Sequence, residues 1–147
     1  MNPILSAGLL IGLLCGAWTF VMGFTGWYKD PAFGNGLFIG VAMIIEIVGL
    51  RWGLRKTAAL GRGYGGQILA GTMMAVVAGV IIVAASLLAT TVVFPNYYAD
   101  VNPATEASAT PMAQAMSGFM GTLVTGIVAS AIIGIFVRHR GPVSSTS

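Results

Sequence analysis

The longest apolar stretch of this sequence is ILAGTMMAVVAGVIIVAASLLATTVVF, residues 68–94, and it contains no charged residue. About 20 apolar residues suffice for an α-helix to cross the hydrocarbon core of a bilayer, and a longer run can cross it with tilt. Pro95 follows the stretch and ends the helix. The stretch therefore predicts a membrane-spanning helix.

Three further apolar runs lie on either side of this stretch. They cover residues 4–24, 37–50 and 115–137, and the second is short for a span, so its helix should extend into neighbouring residues. We predict an all-α membrane protein that forms a bundle of four transmembrane helices in a single domain of residues 1–140. The helices should cover about residues 4–24, 35–53, 67–94 and 115–137. A disordered tail should follow at 141–147.

The composition favours the same class. Of the 147 residues 56% are hydrophobic and only 7% are charged, whereas a soluble domain has about 25% charged residues. A disordered chain needs low hydrophobicity and high net charge, so that class is excluded too. The length leaves room for four spans and for no separate soluble domain.

The charged residues predict an orientation. Six of the seven Lys and Arg residues lie in the connection 51–67 or in the cluster 138–140, and only Lys29 lies on the other side. Basic residues are enriched in cytoplasmic segments, so we predict a multi-pass protein of the cytoplasmic (inner) membrane with both termini cytoplasmic. Because the basic residues flank apolar runs, the partner they indicate is the lipid bilayer and not a nucleic acid. Three acidic residues fall outside: Asp30, Asp100 and Glu106.

Small residues recur at four-residue spacing in three of the predicted helices. In a bilayer, helices associate by close packing, which small residues permit. The stripes predict helix–helix contacts, either within this bundle or with an oligomer or partner subunit. The predicted packing glycines are Gly8, Gly12 and Gly16, then Gly71 and Gly79 with Ala75 between them, then Gly118, Gly126 and Gly134, with Thr122 and Ser130 completing the last stripe.

Glu46 is the one acidic or basic side chain inside the four apolar runs that predict the spans. A charge at the bilayer centre costs about 2.5–3.5 kcal/mol on insertion scales, so such a residue faces protein or water. Arg51 follows five residues later, roughly 7.5 Å along a helix, which places Glu46 nearer the cytoplasmic boundary than the midplane. Two interpretations stay open: a structural carboxyl, neutral or paired with Arg51 or a hydroxyl, and a proton or cation site.

The sequence contains no pattern typical of a catalytic, cofactor or metal site. His139 is the only histidine and Cys15 the only cysteine, too few for a typical zinc or bis-histidine haem site. The glycine-rich segment 61–66 lacks the Lys-Ser/Thr of a phosphate-binding loop. We therefore predict a protein that is not an enzyme and that has no cofactor.

Short motifs across nearly the whole chain carry a family resemblance. They are Gly8 and Gly12, Met43-Ile44-Ile45, Gly49-Leu50-Arg51, Arg55-Lys56, Gly65-Gly66-Gln67 before Gly71, Phe94-Pro95-Asn96-Tyr97-Tyr98, and the basic tail. In these motifs the chain resembles domain-of-unknown-function family 4199, small bacterial four-helix membrane proteins. The resemblance implies a fold and no particular activity.

Two functions are consistent with these features. The first, which we favour, is an accessory or structural subunit that packs into a larger membrane complex or a homo-oligomer through its small-residue faces. The second is a small proton- or cation-coupled transporter or channel-like protein that uses Glu46. The environment of Glu46 should discriminate between them: a water-filled cavity favours transport, and a dry pairing favours a structural role.

Overall fold

The computed structural model describes residues 2–30, 34–97 and 110–137, apart from the side chain of Asn35. Within these ranges the chain is all-helical and contains no strand. The predicted residues Asp100, Glu106 and His139, the basic cluster 138–140 and the tail 141–147 lie outside the described ranges. The four long helices are α1 (Pro3–Thr25), α2 (Gly34–Ala59), α3 (Tyr64–Leu88) and α4 (Pro111–Phe136).

Two short elements follow these helices. A 3-10 turn, Trp27–Lys29, comes after α1, and a π-helical turn, Ala89–Val93, continues α3. With that turn included, four helices are long and apolar enough to cross a membrane. The prediction of an all-α chain with four helices of membrane-spanning length is thereby confirmed.

Three helices differ from their predicted bounds, and α3 begins at Tyr64 and not at residue 67. Helix α2 ends at Ala59 and not at residue 53, because Lys56 stays exposed while Thr57 and Ala58 are buried. Helix α4 begins at Pro111 and not at residue 115. The side chain of Thr110 accepts a hydrogen bond from the Ala113 backbone N–H at 3.2 Å, and Pro111 at the first helical position has no backbone N–H that would need a partner.

Consecutive helices run in opposite directions, so one end of the bundle holds Pro3, Ala59, Tyr64 and Phe136. We call it the basic end, because Arg62 and the basic residues of α2 lie there, and we call the other the far end. Helix α3 packs extensively on both α1 and α4, while α2 packs mainly on α1. Such an alternation of direction is the usual arrangement of a four-helix bundle with short connections.

Glycines bring α1 against α3 along most of their length. A Cβ on Gly8 would lie 2.7 Å from Cβ of Val77, and one on Gly12 would lie 2.8 Å from Cβ of Ile81. A Cβ on Gly16 would lie 3.0 Å from Cβ of Ala85. The three small residues predicted to mediate packing in α1 thus all face α3, at a separation that larger side chains would not permit.

The buried apolar core lies between the basic end and the middle of the bundle. Its largest fully buried side chains include Ile11, Leu50, Leu54 and Met74. At the far end, aromatic rings hold the segment after α3 onto α1: the ring of Phe94 packs 5.1 Å from that of Phe24. The two ends of the bundle are therefore stabilised by different kinds of contact.

Candidate functional site

Glu46 lies at the middle of α2, 12 residues after its first residue and 13 before its last. Its side chain is 6% exposed. It faces Gly126, which is close to the middle of α4. The helix continues eight residues past Arg51, so Glu46 is far from either end of α2, and its predicted depth in a membrane stays a prediction.

Gly126 provides the space that the carboxyl occupies. A Cβ on Gly126 would lie 3.3 Å from Oε1 of Glu46 and would collide with Cβ of Ala75 on α3. Helices α2, α3 and α4 therefore meet at one point because this residue has no side chain. The predicted role of Gly126 in packing and the predicted functional residue Glu46 belong to the same site.

The carboxyl of Glu46 lacks a partner on one oxygen. Its Oε1 atom is buried and accepts no hydrogen bond from the described residues. The hydroxyl of Ser130, one turn after Gly126 on α4, donates to the Gly126 carbonyl at 2.6 Å. Buried polar atoms almost always have a partner, so this unpartnered carboxyl oxygen makes Glu46 the candidate functional residue of the bundle.

Arg51, the predicted charge partner of Glu46, lies on a different side of α2 from Glu46. Five residues turn an α-helix by about 140° beyond a full turn, and Arg51 is exposed on the outside of the bundle. There it lines a surface cavity of about 560 Å³ with Trp52, Arg55 and Lys56, among others. Nζ of Lys56 lies 3.8 Å from the Trp52 ring centroid, a cation–π contact typical of a membrane–water interface.

Three of the other predicted packing glycines of α3 and α4 lie against a neighbouring helix, and one does not. A Cβ on Gly71 would collide with Ser130, one on Gly79 would lie 2.5 Å from the Phe119 ring, and one on Gly134 would lie 3.3 Å from the Tyr64 ring. Gly118 is a correction to the predicted stripe, because it is exposed and no described atom lies within 4 Å of where its Cβ would stand. A four-residue spacing drifts by about 40° per step, so the stripe turns away from α3.

The far half of α2 lacks the contacts that its basic half makes. Residues 18 positions apart lie on the same side of an α-helix, about five turns from each other. Thr57 is 1% exposed, whereas Ile39 is 51% exposed. Leu54 is buried while Gly36 is exposed, and this contrast repeats for a third pair, buried Ala58 and exposed Gly40.

Helix α4 shows the same contrast on the side that faces α2. Ala129 is buried in the core beside Leu50 and Leu54. Gly118 precedes Ala129 by 11 residues, which places it within about 20° of Ala129 around the helix, and yet it is exposed. Towards the far end α2 and α4 thus present open faces. We call this region, bounded by Gly36, Ile39, Gly40 and Gly118, the α2–α4 cleft.

The sequence interpretation missed a buried polar contact at the basic end. Gln67 is 0% exposed at the start of α3. The amide of Gln67 is oriented so that its nitrogen and its oxygen both have hydrogen-bond partners. The nitrogen donates to Oγ1 of Thr57 at 2.7 Å, and the oxygen accepts from the Ala58 backbone N–H at 2.9 Å. Nothing in the sequence pairs Gln67 with Thr57, because the pairing depends on how α2 and α3 cross.

Two more polar groups lie in α1. Nε1 of Trp18 is buried without a hydrogen-bond partner among the described residues, and the Trp18 ring lies 6.4 Å from that of Trp27. Cys15 is buried, with Sγ 4.0 Å from the Ala42 carbonyl oxygen. Among the described residues, no three His, Cys, Asp or Glu side chains come together in a way that could hold a metal ion.

No family model, no curated protein and no solved structure matches this chain. The resemblance to family 4199 therefore stays a prediction from short motifs. The function has to be argued from the site, namely Glu46 at Gly126 and the cleft beside it.

Proposed function

We propose that this chain is a multi-pass integral membrane protein that acts without catalysis, as an accessory subunit of a larger membrane assembly. The observation that carries the proposal is the open α2–α4 cleft, where Gly36, Gly40 and Gly118 are exposed. Elsewhere in this bundle, glycines such as Gly8 and Gly12 lie where another helix packs closely. Exposed glycines on facing helices indicate a contact that this chain does not make by itself.

The assembly is tested in native membranes. The tagged protein is extracted in polymer nanodiscs, and the mass and subunit composition of the particles are measured. We expect a stoichiometric partner that is lost with Gly40→Leu and retained with Ala84→Leu, a substitution at an exposed position on α3. Particles that contain a single copy of the 15.1 kDa chain and no other protein would refute the proposal.

We also propose that both termini are cytoplasmic and that the membrane is the inner membrane of a bacterium. The basic end of the bundle, with Arg51, Arg55 and Lys56 exposed, supports this orientation. A reporter fused after Ser147 or inserted near Gly61 should read cytoplasmic, and one inserted near Thr105 should read external. A cytoplasmic signal at Thr105 would contradict the orientation.

The unpartnered Oε1 of Glu46 favours a second function, a proton- or cation-coupled transporter or channel. Ionisable residues within the transmembrane helices of membrane proteins often mark ion or substrate pathways. The test is flux of protons or alkali cations into liposomes that contain the purified protein. A flux that Glu46→Gln abolishes without loss of thermal stability would favour transport, and its absence in the wild type would favour the accessory subunit.

A further inference from the structure

One side of α2 changes from apolar to basic along its length. Ile44 is 63% exposed and Val48 is 62% exposed. The exposed residues Arg51 and Arg55 follow them, so that the four positions are separated by four, three and four residues. At about 100° per residue, the four side chains leave α2 within a sector of about 60°. This side of the helix therefore presents two apolar side chains and then two guanidinium groups.

The basic part of this side borders the surface cavity of about 560 Å³. Three basic side chains, Arg51, Arg55 and Lys56, line the cavity beside Trp52 and Val48, among others. Nζ of Lys56 lies 3.8 Å from the Trp52 ring centroid, so this ammonium group is held at the cavity and not extended away from it. Three positive charges around one cavity produce a potential that attracts an anion.

The acidic side chains that the structure describes do not neutralise these charges. Residues 2–30, 34–97 and 110–137 include two acids, Asp30 and Glu46. Asp30 follows α1 at the far end of the bundle, and the carboxyl of Glu46 is buried against Gly126. Within the described ranges, the positive charges of the cavity are thus left for a ligand to compensate.

The order of apolar and basic side chains matches the two parts of a phospholipid. Ile44 and Arg55 are 11 residues apart, about 16.5 Å along the helix, which is close to half of a hydrocarbon core of about 30 Å. Acyl chains can lie along Ile44 and Val48 while the phosphate reaches the guanidinium groups, whose N–H donors pair with phosphate oxygens. Trp52 would then lie at headgroup level, where tryptophan is enriched.

We infer that this side of α2 binds one anionic phospholipid, whose phosphate lies among Arg51, Arg55 and Lys56 and whose acyl chains lie along Ile44 and Val48. The inference goes beyond the proposed function, because a lipid site on α2 needs no partner subunit. A headgroup with net negative charge is selected over a zwitterionic one, because a choline group would bring a fourth positive charge to the cavity.

Native mass spectrometry of the full-length protein in mild detergent tests the site. Phosphatidylglycerol and phosphatidylcholine with the same acyl chains are titrated separately, and the one-lipid adduct gives the Kd of each. The variants are Arg55→Gln, Arg55→Lys and Arg62→Gln. Arg62 is exposed between α2 and α3 and does not line the cavity, so its substitution removes one positive charge from the same end of the bundle as a matched control.

We expect phosphatidylglycerol to bind the wild type at least about tenfold more tightly than phosphatidylcholine. Arg55→Gln should weaken phosphatidylglycerol binding about fivefold, the contribution of one basic residue near an anionic surface. Arg55→Lys keeps the charge and should lose about twofold, because lysine lacks the paired donors of arginine. Arg62→Gln should lose less than about twofold, and unchanged melting temperatures establish that the variants are folded.

Inorganic phosphate separates a lipid site from a site for a soluble anion. At millimolar concentration it should not displace phosphatidylglycerol, because it gains nothing from contact with Ile44 and Val48. Displacement would assign the cavity to a soluble anion and overturn the inference.

Two other results would also overturn it. One is equal affinity of the two lipids for the wild type, a comparison that needs no variant. The other is an equal loss with Arg55→Gln and Arg62→Gln, which would reveal only the general charge of the basic end. A single-copy particle in native nanodiscs would refute the accessory subunit and leave the lipid site standing.

Discussion

The two halves of α2 both contain apolar and small residues but have opposite surroundings, and only one of them carries basic side chains. In the basic half Leu54 and Thr57 are buried against other helices, and a connection of four residues, 60–63, ties α2 to α3. In the far half Gly36 and Ile39, on the same sides of the helix, are exposed. Apolar residues in a bilayer protein need not be buried in protein, because lipid is as apolar as a leucine side chain.

The comparison indicates a division of roles along one helix. The basic half of α2 belongs to the core that holds this chain together, with Leu50 and Leu54 fully buried. The far half contributes few contacts to that core and presents small residues outward. Substitutions should therefore affect stability in the basic half and at Gly126, and assembly in the far half.

The largest effect on the free energy of unfolding is expected from Gly126→Leu. This substitution tests on α4 whether the packed part of the bundle is more sensitive than the exposed far part. The new side chain would collide with Ala75 and crowd Glu46, so we expect it to lower the free energy of unfolding by about 3 kcal/mol or more, at the upper end of overpacking costs. Gly118→Leu, in open space on the same helix, should change it by less than about 0.5 kcal/mol.

Thermal unfolding in mild detergent measures both variants, and Val128→Leu, at an exposed position of α4, controls for the added volume. Equal melting temperatures for the substitutions at Gly126 and Gly118 would remove the distinction between the two halves.

A smaller effect is expected at the buried amide of the basic end. Gln67→Leu leaves the hydroxyl of Thr57 without its partner from α3, which should cost about 1–3 kcal/mol of unfolding free energy. The Thr57 hydroxyl still donates to the Leu54 carbonyl at 3.0 Å, so adding Thr57→Val removes only an oxygen that has lost its donor and should restore part of that loss. Gln114→Leu, at an exposed position of α4, should have little effect on the melting temperature. A double variant less stable than Gln67→Leu alone would argue against the pairing.

The smallest effect on stability is expected at Glu46. Because its Oε1 has no partner within the described chain and glutamine keeps the shape of a neutral carboxyl, Glu46→Gln should change the free energy of unfolding by less than about 1 kcal/mol, the size of one hydrogen bond. Arg51 is exposed on another face, so Arg51→Gln should add independently, with a coupling energy below about 0.5 kcal/mol in a double-variant cycle. A rescue of a destabilised Glu46→Gln by Arg51→Gln would reveal an ion pair.

The amino-acid sequence by itself determined the class of the fold and the number of its long helices. Runs such as residues 68–94 are apolar at every position, and backbone hydrogen bonding in lipid leaves a helix as the only way for a single run to span the membrane. The helix ends were less predictable. Residues 54–59 are polar in part, and α2 continues through them only because Thr57 and Ala58 pack on the bundle.

Only the tertiary structure decided which small residues pack and what surrounds Glu46. The four-residue spacing is the same at Gly8, Gly118 and Gly126, but spacing along one helix does not state which face meets a neighbour. In lipid every face of an apolar helix is equally tolerated, so hydrophobic periodicity does not mark the core as it does in water. The position of Glu46 beside Gly126 and away from Arg51 follows from how α2, α3 and α4 cross, a relation between distant parts of the chain.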